Sequence, residues 1–231
     1  IFAAPDETLD EWQADLAMTS QFAVRHLSTY GLTIERGAAF FGRSLRNEII
    51  EVDADLQLAM YESAIEHHVR RGWKHYEVSN FAQPGYACRH NMAYWLGEPW
   101  WAFGPGGASF TWDEQLNCMV RAVNHPSTTN YIRRMLAGGS PVKEREPLTV
   151  EQRVRERLVF GLRMLDGVTL DELDAMLGHS ARALFEPALS EYLDRGWLRF
   201  TDDLRLQLTH AGLVISDGLW PALFEARTLN G

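Results

Sequence analysis

Over its first 81 residues the chain alternates strand-like and helix-like runs, and that alternation restricts its fold more than any other feature. Ile1-Phe2-Ala3-Ala4-Pro5 reads as the end of a strand entering a turn. Thr8 with Glu11 forms a capping-box pattern, a hydroxyl with a carboxylate three residues on. A helix is therefore predicted over residues 9–21, with Trp12, Leu16 and Phe22 turned inward. Residues 26–35 read as a strand covered on both faces, and Gly37 and Gly42 punctuate the loop that follows. Asp53 is placed to cap a second helix running to Arg71, with Leu56, Met60, Tyr61, Ile65 and Val69 at helical spacing and Gly72 as its stop. Residues 73–81 form a third strand. Such repeats build a parallel sheet flanked by helices, here with fewer strands than the eight of a closed barrel.

The next stretch, residues 76–110, mixes aromatic and hydrogen-bonding residues more densely than a surface loop does. Tyr86, Tyr94, Trp95, Trp100 and Trp101 need either burial or a flat ligand. Among them sit Cys88-Arg89-His90-Asn91 and the small-residue run Gly104-Pro105-Gly106-Gly107. His90 is either a hydrogen-bonding side chain or a ligand. Imidazole suits iron, and if the segment is helical Tyr94 shares its face. Arg89 makes either a surface ion pair or a fork for a carboxylate. The run 104–107 either cradles an anion through its amides or makes a tight turn. Cys88 lacks the oriented base and oxyanion site of a catalytic pair and reads as a buried thiol. Cys118 by itself cannot ligate a cluster, and His67 and His68, adjacent on a helix, are expected to point apart.

Periodicity weakens over residues 111–147, where only residues 130–136 suggest a short helix. Gly138-Gly139-Ser140-Pro141 breaks the pattern, and a domain boundary is predicted between residues 146 and 147. Beyond it, Thr149 caps a helix bearing Val154, Leu158 and Leu162, and Thr169 with Glu172 opens a shorter one bearing Leu170, Leu173 and Leu177. A third helix spans residues 181–195, with Leu184, Leu189 and Leu193 inward and Pro187 marking a kink or a late start. Residues 197–200 and 205–208 bracket a hairpin turn at Asp202-Asp203, and Thr209 caps a last helix through Trp220. Three helices and a hairpin make a winged-helix-like α+β domain over residues 147–231.

Composition narrows the classes. Hydrophobic residues make up 46% of the 231, which describes a folded chain. A net charge of -9 argues against nucleic acid and anionic membrane as partners. The third helix of the winged-helix-like unit offers Arg182 and Arg195 but also Glu186, Glu191 and Asp194, so a DNA-reading role is disfavoured. No run approaches the ~20 apolar residues of a membrane span, and no signal peptide is visible. Two cysteines make no disulfide framework, so a cytoplasmic location is expected.

The ordered run Glu77-Val78-Ser79-Asn80-Phe81-Ala82, Pro84-Gly85, Arg89-His90-Asn91-x-x-Tyr94-Trp95, Gly104-Pro105-Gly106 resembles the HemW-like heme chaperones, relatives of the oxygen-independent coproporphyrinogen III oxidases of the radical-SAM class. The resemblance covers nearly the whole chain but only the later part of a full-length member. It implies an α/β fold: an incomplete radical-SAM-type βα barrel over residues 1–146, then the winged-helix-like domain. It implies heme or porphyrin as ligand, with His90, Asn91 and Tyr94 as the heme motif, His90 toward the iron and Arg89 near a propionate. It places Thr33, Glu35, Gly104 and Gly106 on the S-adenosylmethionine side, and it implies a heme-receiving protein as partner.

The chain also departs from the family pattern. A G-L-P-G-Q-T stretch reads Ala3-Ala4-Pro5-Asp6-Glu7-Thr8, and a G-A-H-S run reads Gly107-Ala108-Ser109, without the histidine. The cluster motif C-x-x-x-C-x-x-C is expected upstream of Ile1. The [4Fe-4S] cluster and S-adenosylmethionine thus belong to a full-length relative, and the chain by itself is expected to be inactive. Self-association through the exposed barrel edge is expected as well. Two alternatives stay open: part of a coproporphyrinogen III oxidase, or a non-catalytic interaction or scaffold protein whose aromatic stretch is core.

Overall fold

Helix α1 (Leu9–Thr19) starts where its cap predicts: the Glu11 amide donates to the Thr8 hydroxyl at 3.3 Å, and the Thr8 amide donates to the Glu11 carboxylate at 2.9 Å. In this computed structural model residues 1–225 are described, and the chain divides into two compact units, Ile1–Cys88 and the remainder from Arg89.

In the first unit α1 ends at Thr19, whose hydroxyl donates to the Leu16 carbonyl at 2.6 Å, and Phe22 lies exposed beyond it instead of inward. Strand β1 is only His26–Ser28, not residues 26–35. The reason is partner supply: Phe2 pairs in parallel with Gly31 alone, its amide donating to Tyr30 and its carbonyl accepting from Leu32. Among the described residues, 32–35 have no strand partner. The loop marked by Gly37 and Gly42 contains a short helix, α2 (Ala39–Leu45).

Helix α3 (Ala54–Arg70) is capped by Asp53, whose carboxylate accepts from the amides of Asp55 and Leu56. It packs on α1 through Met60 and Ala64 against Phe2, Trp12 and Leu16, and the Trp12 indole donates to the Met60 carbonyl at 2.8 Å. The predicted strand over 73–81 is two strands, β2 (Lys74–Glu77) and β3 (Asn80–Ala82). The Ser79 amide donates to the Glu77 carboxylate at 3.0 Å and folds the segment back. The sheet order is β1-β3-β2, antiparallel at both pairings, so parallel pairing in this unit is confined to the Phe2–Gly31 bridge.

The second unit opens with α4 (Arg89–Leu96). Then come β4 (Ala108–Asp113), β5 (Cys118–Asn124), α5 (Thr128–Leu136) and β6 (Val142–Pro147). The three strands form an antiparallel sheet in chain order, over residues where periodicity predicts little. Its small core is Phe110, Met119 and Leu148, with Trp100 packed against it. The boundary predicted between residues 146 and 147 falls within this unit, at the end of β6.

Helix α6 (Val150–Arg163) carries a full capping box, Thr149 with Gln152, and buries Val154, Leu158 and Leu162. There follow β7 (Val168–Thr169), α7 (Leu170–Leu177), a 3-10 turn over Arg182–Phe185, α8 (Ala188–Asp194), β8 (Leu198–Phe200) and β9 (Arg205–Leu208). Pro187 splits the predicted third helix, since it has no amide to donate. The sheet order is β7-β9-β8. Helices α9 (His210–Val214) and α10 (Ser216–Phe224) replace one continuous last helix. Gly212 allows the first of them to meet the hairpin, because a Cβ there would lie 2.0 Å from the Trp197 carbonyl oxygen. Among the described residues no helix is long and apolar enough to cross a membrane.

Candidate functional site

Helix α4 delivers His90 and Tyr94 to one face, one turn apart. Their rings meet edge-on with centroids 4.9 Å apart. Tyr94 is edge-on to Trp100 at 4.5 Å, and Trp100 leans on Phe110 at 4.9 Å. Trp100 and Phe110 also exchange backbone hydrogen bonds of 2.8 and 2.9 Å, and the Trp100 indole donates to the Ala108 carbonyl at 2.8 Å. The ladder His90–Tyr94–Trp100–Phe110 thus begins at an exposed imidazole and ends in core. Its solvent end is presented, not packed away. Arg89 is exposed and Asn91 half-buried, and neither side chain has a hydrogen-bond or ion-pair partner among the described residues. Four hydrogen-bonding or cationic groups therefore stand on two turns of one helix with capacity to spare.

The neighbouring aromatics part ways. Trp101 and Phe103 are 74% and 87% exposed, so burial does not explain them. Trp95 instead packs edge-on against Phe160 at 5.7 Å, and the Arg163 guanidinium lies 4.6 Å over its ring. Tyr86, in the first unit, carries the Arg25 guanidinium on its face at 4.6 Å.

Gly104 and Gly106 adopt positive φ of 90° and 70°, which fits the tight-turn reading of their loop. The amides at Gly104, Gly106 and Gly107 all donate within the fold, to the Tyr131 hydroxyl at 3.2 Å and to the His125 and Gly104 carbonyls at 3.1 and 3.3 Å. No amide of those three is left to cradle an anion. Asn124 closes the loop by donating to the Gly104 carbonyl at 3.0 Å. Thr33 and Glu35 belong to the first unit, exposed on the segment after Gly31 and not at the end of a barrel strand.

The Glu77–Phe81 run builds a buried polar cluster that spacing alone does not disclose. Glu77 and Asn80 are buried, the Asn80 amide donates to the Glu77 carboxylate, and the Ser28 hydroxyl donates to the Asn80 oxygen. The His67 and His68 rings touch edge-on at 5.1 Å instead of pointing apart. Among the described residues no group of three or more His, Cys, Asp or Glu is placed to hold a metal ion. Cys88 is half-buried, not fully buried, and both cysteines are free thiols.

A cavity of about 140 Å³ lies beside the aromatic ladder, with Trp100 and Phe110 in its wall. Arg153, Glu156, Arg157 and Phe160 line it from α6, at the i, i+3, i+4, i+7 spacing of a single helix face. That second stripe was the available sequence signal. It goes unread beside the stronger apolar stripe of Val154, Leu158 and Leu162.

The class follows from the order of elements: a mixed α/β segment leading into a winged-helix-like domain, with an imidazole-bearing helix between the unit boundary and the second sheet. Comparison with known proteins agrees. The family model for the HemN C-terminal domain matches residues 148–215. The chain is 32% identical to the heme chaperone HemW of Mycobacterium tuberculosis over 237 aligned residues, covering 100% of this chain and 54% of that protein. It is 25% identical to HemW of Bacillus subtilis over 222, covering 96% and 57%. In fold it matches the radical SAM enzyme coproporphyrinogen III oxidase (HemN) of Escherichia coli with a TM-score of 0.73 at 13% identity, over 96% of this chain and 53% of that one. The chain is thus similar to the HemW heme chaperones and carries a HemN C-terminal domain match, and it spans about half the length of the curated relatives it matches.

Proposed function

We propose that this chain is the heme-handling part of a HemW-like protein, which binds heme as cargo on α4 and passes it to a receiving protein. His90 meets the iron, Tyr94 is the secondary contact, Asn91 supplies a hydrogen bond and Arg89 lies near a propionate. One observation carries the reading: an exposed imidazole seated on an aromatic ladder, within a segment that also exposes Trp101 and Phe103. Imidazole is a good iron ligand, and flat apolar surface is what a porphyrin needs.

Hemin titration of the 231-residue chain tests this. His90→Ala should weaken affinity at least tenfold, about 1.4 kcal/mol or more, and shift the Soret band. His67→Ala should change neither. An unchanged spectrum and affinity in His90→Ala would move the scaffold reading ahead. Because hemin adheres to many apolar surfaces, the spectral shift is the more telling readout.

The family's iron–sulfur chemistry does not fit the residues present. A C-x-x-x-C-x-x-C motif takes three cysteines, and this chain has two, Cys88 and Cys118, 30 positions apart. S-adenosylmethionine contacts by Thr33, Glu35, Gly104 and Gly106 are thus proposed only for a protein that also supplies the cluster. The second reading, part of a coproporphyrinogen III oxidase, draws support from the fold likeness and the matching C-terminal domain. Assay of a cluster-bearing full-length protein for propionate decarboxylation separates the two. Reduced, unpaired cysteines accord with a cytoplasmic setting.

A further inference from the structure

We propose that the cavity beside α6 binds a carboxylate carried on an apolar body, with Arg153 as its ion partner. Two arginines and two glutamates line the cavity, and three of these four are paired. Arg157 donates to Glu172 at 2.7 Å, and Glu156 accepts at 2.8 Å from Arg121, which also donates to Glu146 at 3.0 Å. The Arg153 guanidinium has no hydrogen-bond or ion-pair partner among the described residues, and it lines the same cavity as Trp100, Phe110 and Phe160. An apolar wall with a single unmatched guanidinium selects an apolar acid, because a carboxylate can take the fork while the rest of the ligand displaces water.

Size narrows the class further. At about 140 Å³ the cavity is well below the roughly 300–1,000 Å³ of pockets that enclose whole drug-sized ligands, so it holds a small acid or one arm of a larger one. Its position offers the larger source. Trp100 is shared between the cavity wall and the ladder, and the contacts of 4.5 and 4.9 Å place His90 two rings away. A porphyrin carries propionate arms on an apolar disc. That assignment of the acid rests on the heme reading of His90, whereas the cavity's preference for a carboxylate does not.

The test uses the full 231-residue chain and two probes of one shape, 3-phenylpropionate and 3-phenylpropan-1-ol, followed by the methyl resonances of Leu96 and Met176. The acid should bind about tenfold more tightly than the alcohol, in line with a charge-assisted hydrogen bond. Arg153→Gln, a change at a half-exposed side chain, should reduce that preference to within about twofold, and Arg153→Lys should keep part of it. His90→Ala should leave it intact. Equal binding of acid and alcohol by the wild type, binding of neither, or a preference that survives Arg153→Gln overturns the proposal.

Hemin and its dimethyl ester then separate the sources. If the acid is a propionate, the wild type prefers hemin about tenfold and Arg153→Gln lowers that preference, leaving the share held by Arg89, without moving the Soret band. If that preference falls with Arg89→Gln and not with Arg153→Gln, the propionate assignment is overturned. If the wild type shows no Soret response while the acid preference holds, the heme reading fails and the cavity stands as a site for a small apolar acid.

Discussion

His68 is the residue whose environment departs furthest from its chemistry. It is fully buried between Trp73, stacked at 5.3 Å, and Phe81, at 4.7 Å, and neither ring nitrogen has a hydrogen-bond partner among the described residues. Loss of solvent drives its pKa down to about 4, and the nearby charges of His67, Arg71 and His75 push the same way. Burial lowers His75 and His26 as well. In the folded state these rings stay neutral at pH values where the unfolded chain binds protons. Stability contributed by His68 is therefore complete above about pH 6.5 and is lost as pH falls toward 4, by up to roughly 3 kcal/mol. Urea unfolding at pH steps from 7 to 4 measures this. His68→Leu, which removes the two unpaired nitrogens, should flatten the profile, and an equally steep profile in that variant would refute the assignment.

At the scale of elements, α6 organises the second unit through Arg155. Its side chain is buried, donates to Glu151 at 2.9 and 3.1 Å, and reaches the carbonyls of Leu184, Leu223 and Glu225 at 2.7, 3.3 and 3.2 Å. One guanidinium thus holds the 3-10 turn and the end of α10 against α6, which no apolar contact of the same size could do. Arg155→Met keeps much of the stem but strands those carbonyls. We expect it to cost roughly 3 kcal/mol in chemical unfolding, with the hemin spectrum of the folded fraction unchanged because α4 is untouched. The basic residues near α8 are likewise paired, Arg182 with Glu186 and Arg195 with Glu191, which leaves them little to offer a phosphate backbone.

For the whole molecule, the exposed apolar residues govern behaviour. Ile1, Trp101, Phe103 and Leu136 are each more than 70% exposed, a larger apolar offering than scattered surface positions need. Concentration-dependent association is expected in sedimentation velocity, reduced by the double change Trp101→Ser and Phe103→Ser. A monodisperse monomer at high concentration would argue against it. Chemistry at this scale is limited by the cysteine count: the 231-residue chain should release no 5′-deoxyadenosine from S-adenosylmethionine under reducing conditions. Its appearance would show that a cluster can assemble without the motif.

Sequence by itself determined what depends on neighbours three or four residues away. Thr8, Asp53, Thr149, Thr169 and Thr209 each accept from the amide three residues on, because a cap is a local hydrogen bond. The pairing of His90 with Tyr94 was legible for the same reason, since one helical turn sets it. Strand pairing was not. The shortening of residues 26–35 to a three-residue strand and the sheet over residues 108–147 depend on partners far along the chain. Trp95 turning to Phe160, and the face of α6 that became a cavity wall, were likewise decided only by tertiary packing. Periodicity reports which residues share a face; only the assembled neighbours decide whether that face meets core, cavity or water.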